Sequence, residues 1–117
     1  MHNYLELKIW QRSRALVKKV FHLTESFPGS QQYGLTIQIQ RAAVSIPSNI
    51  AEGAGRNSSK EFIRFLDIAN GSAFELETQL LLSCDLGFVK EEQIENIISD
   101  LKEIQKMIFK FRSSLKS

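Results

Sequence analysis

Cysteine, proline and glycine are scarce in this sequence: its 117 residues include one cysteine, two prolines and six glycines. The single cysteine, Cys84, cannot form an intrachain disulfide or a cysteine-based zinc site, so side-chain packing alone must hold the fold. The prolines and glycines fall mostly between long stretches in which apolar residues recur every three or four positions. The sequence therefore predicts long helices joined by short turns.

Long apolar runs are also missing. No segment approaches the roughly 18 apolar residues of a membrane span, and the opening MHNYLELKIW lacks the basic-then-apolar order of a signal peptide. We therefore expect a soluble, cytoplasmic protein without a membrane partner. With 43% hydrophobic and 24% charged residues, the chain can build one hydrophobic core, which excludes intrinsic disorder and predicts a single domain over residues 1–117.

The apolar periodicity predicts four helices, over residues 6–26, 31–54, 59–85 and 90–114. Residues 27–30 (FPGS) end the first helix, because proline bars helical continuation and glycine permits a turn. Ser58 and Glu61 have the spacing of a capping box at the start of the third helix. Because the connections are short, we expect an all-α, antiparallel, up-down-up-down four-helix bundle.

Two of these helices carry more apolar surface than one core needs, which is an arc of about 100–140°. The third helix has a second apolar stripe at Ile63, Phe74 and Leu81, and the second helix has only a narrow polar arc. Homo-oligomerisation is one interpretation; the other is that the second helix is the most central helix of a monomer. Pro47 should kink this second helix, and small residues such as Ala43 before it should let another backbone approach closely.

The residue pattern predicts no enzymatic activity, no cofactor and no metal site. His2 and His22 form no metal-binding pair, and Glu75 and Glu77 point to different sides of one helix. Cys84 continues the core stripe and has no basic neighbour that would activate it. The segment from Gly53 to Arg56 is interpreted as a helix end and turn rather than a phosphate cradle. Arg56, Lys60 and Arg64 are an alternative candidate for a local anion site.

Positive charge is segregated along the chain. Residues 1–27 contain five basic and two acidic residues, whereas residues 57–84 contain two basic and four acidic ones. On a helical wheel, one continuous arc of the first helix holds Lys8, Arg12, Arg14, Lys18, Lys19 and His22. A second row on the fourth helix consists of Lys102, Lys106 and Lys110. Such stripes suit the phosphate backbone of RNA or DNA, but an ordinary solvated helix face fits equally well from charge alone.

Residues 33–56 (YGLTIQIQRAAVSIPSNIAEGAGR) resemble the signature of the four-helix-bundle family encoded in intervening sequences of bacterial large-subunit rRNA genes. Matching elements elsewhere cover nearly the whole chain: residues 7–11, 27–28, 62–66, 68–69, 71–72 and 75–80. A similar fold occurs in the accessory variability proteins of diversity-generating retroelements. The resemblance implies a ring, most simply a homopentamer, that binds RNA or nucleoprotein and has no enzymatic activity.

Within this signature, the polar residues of the second helix and its end are Arg41, Ser45, Ser48, Asn49, Glu52 and Arg56. We expect them to form interhelical hydrogen bonds that fix the bundle or the ring, rather than to contact nucleic acid. The nucleic-acid contacts are expected on Lys8, Arg12, Arg14, Lys18, Lys19, Lys102, Lys106 and Lys110. The competing hypothesis is an oligomeric protein–protein interaction scaffold that does not bind nucleic acid.

Overall fold

The structure, a computed structural model, describes residues 1–115, and within this range it is all-helical, with four α-helices and no strand. The helices are α1 (Lys8–Thr24), α2 (Leu35–Ala54), α3 (Ser59–Asp85) and α4 (Glu91–Ser114). Short 3-10 helices at Tyr4–Glu6 and Gly29–Gln31 precede α1 and α2. None of the described helices is both long and apolar enough to cross a membrane.

The first two helices begin later than the periodicity predicts. Residue 6 belongs to the 3-10 helix Tyr4–Glu6, whose amide at Leu5 is capped by the Asn3 side chain at 3.2 Å. Residues 29–31 form the second 3-10 helix. Gly34, with φ −111° and ψ −117°, has a non-helical backbone and separates this turn from α2. Apolar spacing does not distinguish such single turns from the first turn of an α-helix.

Both ends of α3 confirm the prediction. The Ser58 Oγ atom accepts a hydrogen bond from the Glu61 amide at 3.2 Å, which is one half of the expected capping box. At the other end Gly87 has φ +78°, and the Phe88 and Gly87 amides donate to the carbonyls of Ser83 and Cys84 at 2.9 and 3.0 Å. This is a Schellman motif, which needs the left-handed backbone that glycine adopts readily.

The four helices surround one hydrophobic core. α1 and α3 each lie next to both α2 and α4, whereas no Cα atom of α1 comes within 8 Å of α3, and none of α2 comes within 8 Å of α4. The seam expected on α4 is confirmed: Ile94, Ile97, Leu101, Ile104 and Ile108 are buried, and Phe111 and Leu115 are half-buried. Large side chains that are fully buried come from all four helices and include Leu16, Ile39, Leu66, Leu76 and Leu101.

The small residues of α2 serve packing inside the chain. Ala42 and Ala43 are buried in the single chain, and a Cβ atom added to Gly53 would lie only 2.7 Å from the Phe65 Cβ atom. The helix continues through Pro47 from Leu35 to Ala54. Most apolar side chains of α2 are therefore buried in the core of the single chain, which favours the interpretation of α2 as a central helix. The second stripe of α3 differs, because Phe74 and Leu81 remain exposed.

Candidate nucleic-acid interface

All six residues of the α1 arc are exposed, opposite a buried face that includes Ile9, Leu16 and Val20. The 17 residues of α1 contain no carboxylate, so its solvent face has one sign of charge. His22 stands apart at the end of the helix, where its Nδ1 atom lies 3.6 Å from the Glu25 carboxylate. The arc derived from the helical wheel is thus a real surface, which we call the α1 basic face: Lys8, Arg12, Arg14, Lys18 and Lys19.

The α1 basic face meets α4 along one edge. The Lys19 Nζ atom lies 2.5 Å from Asp100 Oδ2 and 2.7 Å from Asn96 Oδ1, so its charge is compensated inside the chain. Further along the same edge, the Arg12 Nη1 atom lies 4.0 Å from the Met107 sulfur. Lys8 and Lys110 line one shallow depression of about 340 Å³ with an apolar floor. The two basic rows therefore approach each other at the end that holds Lys8 and Lys110.

The three lysines of α4 do not form one uniform row. The Lys102 Nζ atom lies 3.8 Å from Glu77 Oε2, which directs it toward α3 and away from the α1 basic face. Lys106 and Lys110 are exposed and form no ion pair with any residue of the described range 1–115. Of the predicted α4 contacts, these two fit the cationic surface better than Lys102 does.

The other edge of the α1 basic face meets α2 in a groove that the sequence reasoning missed. The Arg14 Cζ atom lies 5.4 Å from the centroid of the Trp10 ring, and the Tyr4 and Trp10 rings meet edge to face at 5.0 Å. The groove has a volume of about 360 Å³ and also contains Val17, Val44, Pro47, Ser48 and Ala51. The spacing of Trp10 and Arg14, four residues apart on one helix, was the available signal.

The polar residues expected to form one network fall into separate groups. The Ser45 and Ser72 hydroxyls lie 2.8 Å apart and join α2 to α3, and the Asn49 side-chain amide donates to the Ser45 carbonyl and hydroxyl at 2.8 and 2.9 Å. Because all three side chains are half-buried, these bonds help to set the α2–α3 register.

The remaining members of the predicted network lie elsewhere on α2 or just after its end. Arg56 donates to Glu52 at 2.9 Å, and its Cζ atom lies 4.8 Å from the Phe65 ring centroid. Ser48 lies in the groove between α1 and α2, and Arg41 is exposed. The structure thus brings Ser45 and Asn49 together, pairs Glu52 with Arg56, and leaves Arg41 and Ser48 apart from both groups.

The remaining groups with possible chemistry are the single thiol and the residue types that bind metals. Burial, aided by the nearby carboxylates of Glu91, Asp85 and Glu92, raises the pKa of the Cys84 thiol and so disfavours its thiolate. Cys84 is half-buried and packs against the core, which agrees with its place on the core stripe of the third helix. In residues 1–115, no three His, Cys, Asp or Glu side chains cluster closely enough to hold a metal ion.

Three of the exposed apolar side chains belong to the two helices α3 and α4. Phe109 is 71% exposed, Phe74 58% and Leu81 48%. Phe109 lines a cavity with Asn70 and Gln105, whose side chains are hydrogen-bonded at 3.2 Å across the two helices. Large aromatic side chains that remain this exposed mark a candidate contact surface.

Comparisons with known proteins agree with the resemblance seen in the sequence. The family model described as 23S rRNA-intervening sequence protein matches residues 5–110. A crystal structure at 1.70 Å of a protein with unknown function, from the S23 ribosomal protein family of Bacteroides thetaiotaomicron VPI-5482, is similar with a TM-score of 0.80. The two chains are 26% identical, and the match covers 91% of this chain and 99% of that one. No curated protein matches this chain.

Proposed function

Because this chain belongs to the 23S rRNA-intervening sequence protein family, we propose that it is a cytoplasmic, non-enzymatic homo-oligomer that binds RNA, or another nucleic acid or nucleoprotein. The family is associated with rRNA intervening sequences, and the similar crystal structure is of a protein with unknown function. The proposal rests instead on the surface chemistry of the described residues.

The observation that carries the proposal is the unpaired cationic surface along α1 and α4. Lys8, Arg12, Arg14 and Lys18 of α1 are exposed and form no ion pair within residues 1–115, and the same holds for Lys106 and Lys110 of α4. Nucleic-acid backbones attract such cations without requiring base-specific contacts. A cation that is paired with a carboxylate must give up that partner to meet a phosphate, so these unpaired side chains are the expected phosphate contacts.

We infer that neighbouring helices run antiparallel, which places the two basic rows side by side. As residue numbers rise along α1 from Arg12 to Lys19, the numbers of their partners on α4 fall from Met107 to Asp100. As residue numbers rise along α3 from Asp67 to Glu77, the numbers of their partners on α4 fall from Arg112 to Lys102. This inference supports a cationic surface formed by two helices at the end that holds Lys8 and Lys110.

Oligomerisation is supported by Phe74, Leu81 and Phe109, whose exposed rings and methyl groups would lose contact with water in an assembly. The family resemblance favours a pentameric ring. A ring would repeat the basic surface on every subunit, so weak contacts from one chain would combine into tighter binding. The same apolar side chains favour the second candidate function, an oligomeric protein–protein scaffold without nucleic-acid binding.

The experiment that tests the proposal compares two variants with the same change in charge. One carries Lys8→Glu, Arg12→Glu and Lys18→Glu, and the control carries Lys60→Glu, Arg64→Glu and Lys90→Glu at exposed sites outside the proposed surface. Wild type and control should bind a fluorescent single-stranded RNA, with a log-log salt slope of roughly −0.7 per phosphate contact. The first variant should lose binding while keeping its helicity and mass.

Two outcomes would overturn this proposal. If wild type binds no RNA or DNA at low salt, the scaffold candidate replaces it. If the control variant loses binding and the first variant keeps it, the contact surface lies at the start of α3 or of α4 rather than on the α1 basic face.

A further inference from the structure

We propose that the groove between α1 and α2 holds an unpaired nucleobase of single-stranded RNA, stacked against Tyr4 and the Arg14 guanidinium beside Trp10. This inference rests on the proposed nucleic-acid binding and specifies the form of the ligand. Of the residues in this groove, only Arg14 is among the nucleic-acid contacts predicted from the sequence. The groove volume of about 360 Å³ is at the lower end of the range for sites that hold small ligands.

The groove combines the surfaces that a base requires. Tyr4 is 38% exposed and supplies an aromatic ring, Arg14 supplies a planar cation, and Val17, Val44, Pro47 and Ala51 supply apolar walls. Ser48 adds a side-chain hydroxyl that can donate or accept a hydrogen bond at the base edge. None of the residues that line the groove is acidic, so nothing within it repels the phosphates that accompany a base.

The aromatic pair is held in place before any ligand arrives. The Asn3 side chain caps the turn that carries Tyr4, and the Gln11 side-chain amide donates to the Leu5 carbonyl at 2.8 Å. The His2 amide donates to the Ala54 carbonyl at 2.8 Å, which ties the chain start to the end of α2. Because these contacts already order Tyr4, stacking a base on it requires little further loss of conformational freedom.

The groove is continuous with the α1 basic face. Lys18 follows Arg14 by four residues, so the two side chains are neighbours on the exposed side of the helix. A strand whose phosphates contact Lys18 and Arg14 therefore passes the mouth of the groove. Only an unpaired base can turn into it, because bases in a duplex are stacked on one another. The protein is thus expected to select single-stranded over double-stranded RNA.

Trp10 is the only tryptophan of the chain, so its fluorescence reports directly on the groove. The experiment titrates wild-type protein with an oligouridylate of about 12 nucleotides, within the usual size range of single-strand sites, and with duplex RNA of equal length. Fluorescence polarisation of a labelled RNA measures binding in parallel. The single strand should bind more tightly than the duplex and quench Trp10, and binding of the duplex should leave Trp10 fluorescence nearly unchanged.

Matched variants test whether the Tyr4 ring contributes to RNA binding. Tyr4→Ala should weaken binding of the single strand by about 5- to 150-fold, which corresponds to the loss of one base–aromatic stack. The control Tyr33→Ala makes the same chemical change at a tyrosine that is 86% exposed and lies outside the groove, and it should bind as wild type does. Trp10→Phe keeps an aromatic ring and should retain most of the affinity measured by polarisation.

The outcomes separate this inference from the proposed function. Binding by polarisation with neither Trp10 quenching nor preference for the single strand would overturn the stacking site and leave the basic surface intact. Equal affinities of Tyr4→Ala and Tyr33→Ala would also overturn it. Absence of any RNA binding would instead overturn the proposed function.

Discussion

The ammonium group of Lys19 on α1 lies 2.5 Å from the Asp100 carboxylate on α4, whereas the adjacent Lys18 forms no ion pair within residues 1–115. Two neighbouring lysines of the predicted binding surface therefore differ in whether a carboxylate lies beside the ammonium group. The charge of Lys19 is balanced before any ligand binds, and that of Lys18 is not. Lys18 should thus release more counterions when it meets a phosphate.

The first prediction uses this difference. The double change Lys19→Gln and Asp100→Asn removes a neutral pair, so affinity for RNA and its salt slope should stay close to wild type. Lys18→Gln should lower the magnitude of the slope by roughly 0.7, the value of one single-strand phosphate contact. Fluorescence polarisation over a series of salt concentrations measures both. Equal slopes for Lys18→Gln and wild type would show that Lys18 contacts no phosphate.

Lys19 also marks the limit of what the sequence could reveal. Apolar periodicity was enough to predict the bounds of α3, the α4 seam and the exposure of the basic arc, because these depend on one helix at a time. The partner of Lys19 depends on how α1 and α4 are rotated against each other, which a helical wheel does not contain. The groove could not be predicted for a similar reason. Tyr4 lies outside α1, and only the 3-10 turn brings its ring against Trp10.

The second prediction concerns two glycines inside helices. A Cβ atom on Gly53 would lie 2.7 Å from the Phe65 Cβ atom and 2.9 Å from Phe62 Cδ1, so Gly53→Ala should force α2 and α3 apart and cost about 1–3 kcal/mol. Gly71 has no heavy atom within 4 Å of such a Cβ atom. Gly71→Ala should therefore stabilise the fold by roughly 0.5–1 kcal/mol. Urea denaturation followed by circular dichroism distinguishes them, and equal effects would contradict the close α2–α3 approach.

The third prediction concerns Ala43, which is fully buried within the single chain. Ala43→Phe adds a ring where no space exists, so it should lower the thermal midpoint and the helical signal. The loss should originate in the fold of the subunit and not at a contact between subunits. Circular dichroism combined with light scattering tests this. A variant with unchanged helicity and a clean monomeric mass would place Ala43 at a subunit interface instead.

The fourth prediction concerns Cys84. Since burial and nearby carboxylates raise the pKa of its thiol, less thiolate is present at any given alkaline pH than for a free cysteine. Alkylation by iodoacetamide in the folded protein should therefore be slower than in urea, and its pH midpoint should lie higher. Because the folded protein disfavours the thiolate, the raised pKa also means that the fold loses stability as pH rises from the unfolded-state pKa of Cys84 through its folded-state value. A midpoint below that of the unfolded chain would contradict this assignment.

The last prediction tests whether the exposed aromatic residues of α3 and α4 hold subunits together. Wild type should scatter light as a stable oligomer, and a mass near five times 13.4 kDa would support the ring. Phe74→Ser with Phe109→Ser should lower the mass without reducing helicity, because both rings project from the core. Tyr33→Ser, at an exposed aromatic residue in the turn before α2, should leave the mass unchanged. If the double variant keeps the wild-type mass, the subunits meet elsewhere; if wild type is monomeric at micromolar concentration, the oligomer itself is refuted and each basic face must bind RNA alone.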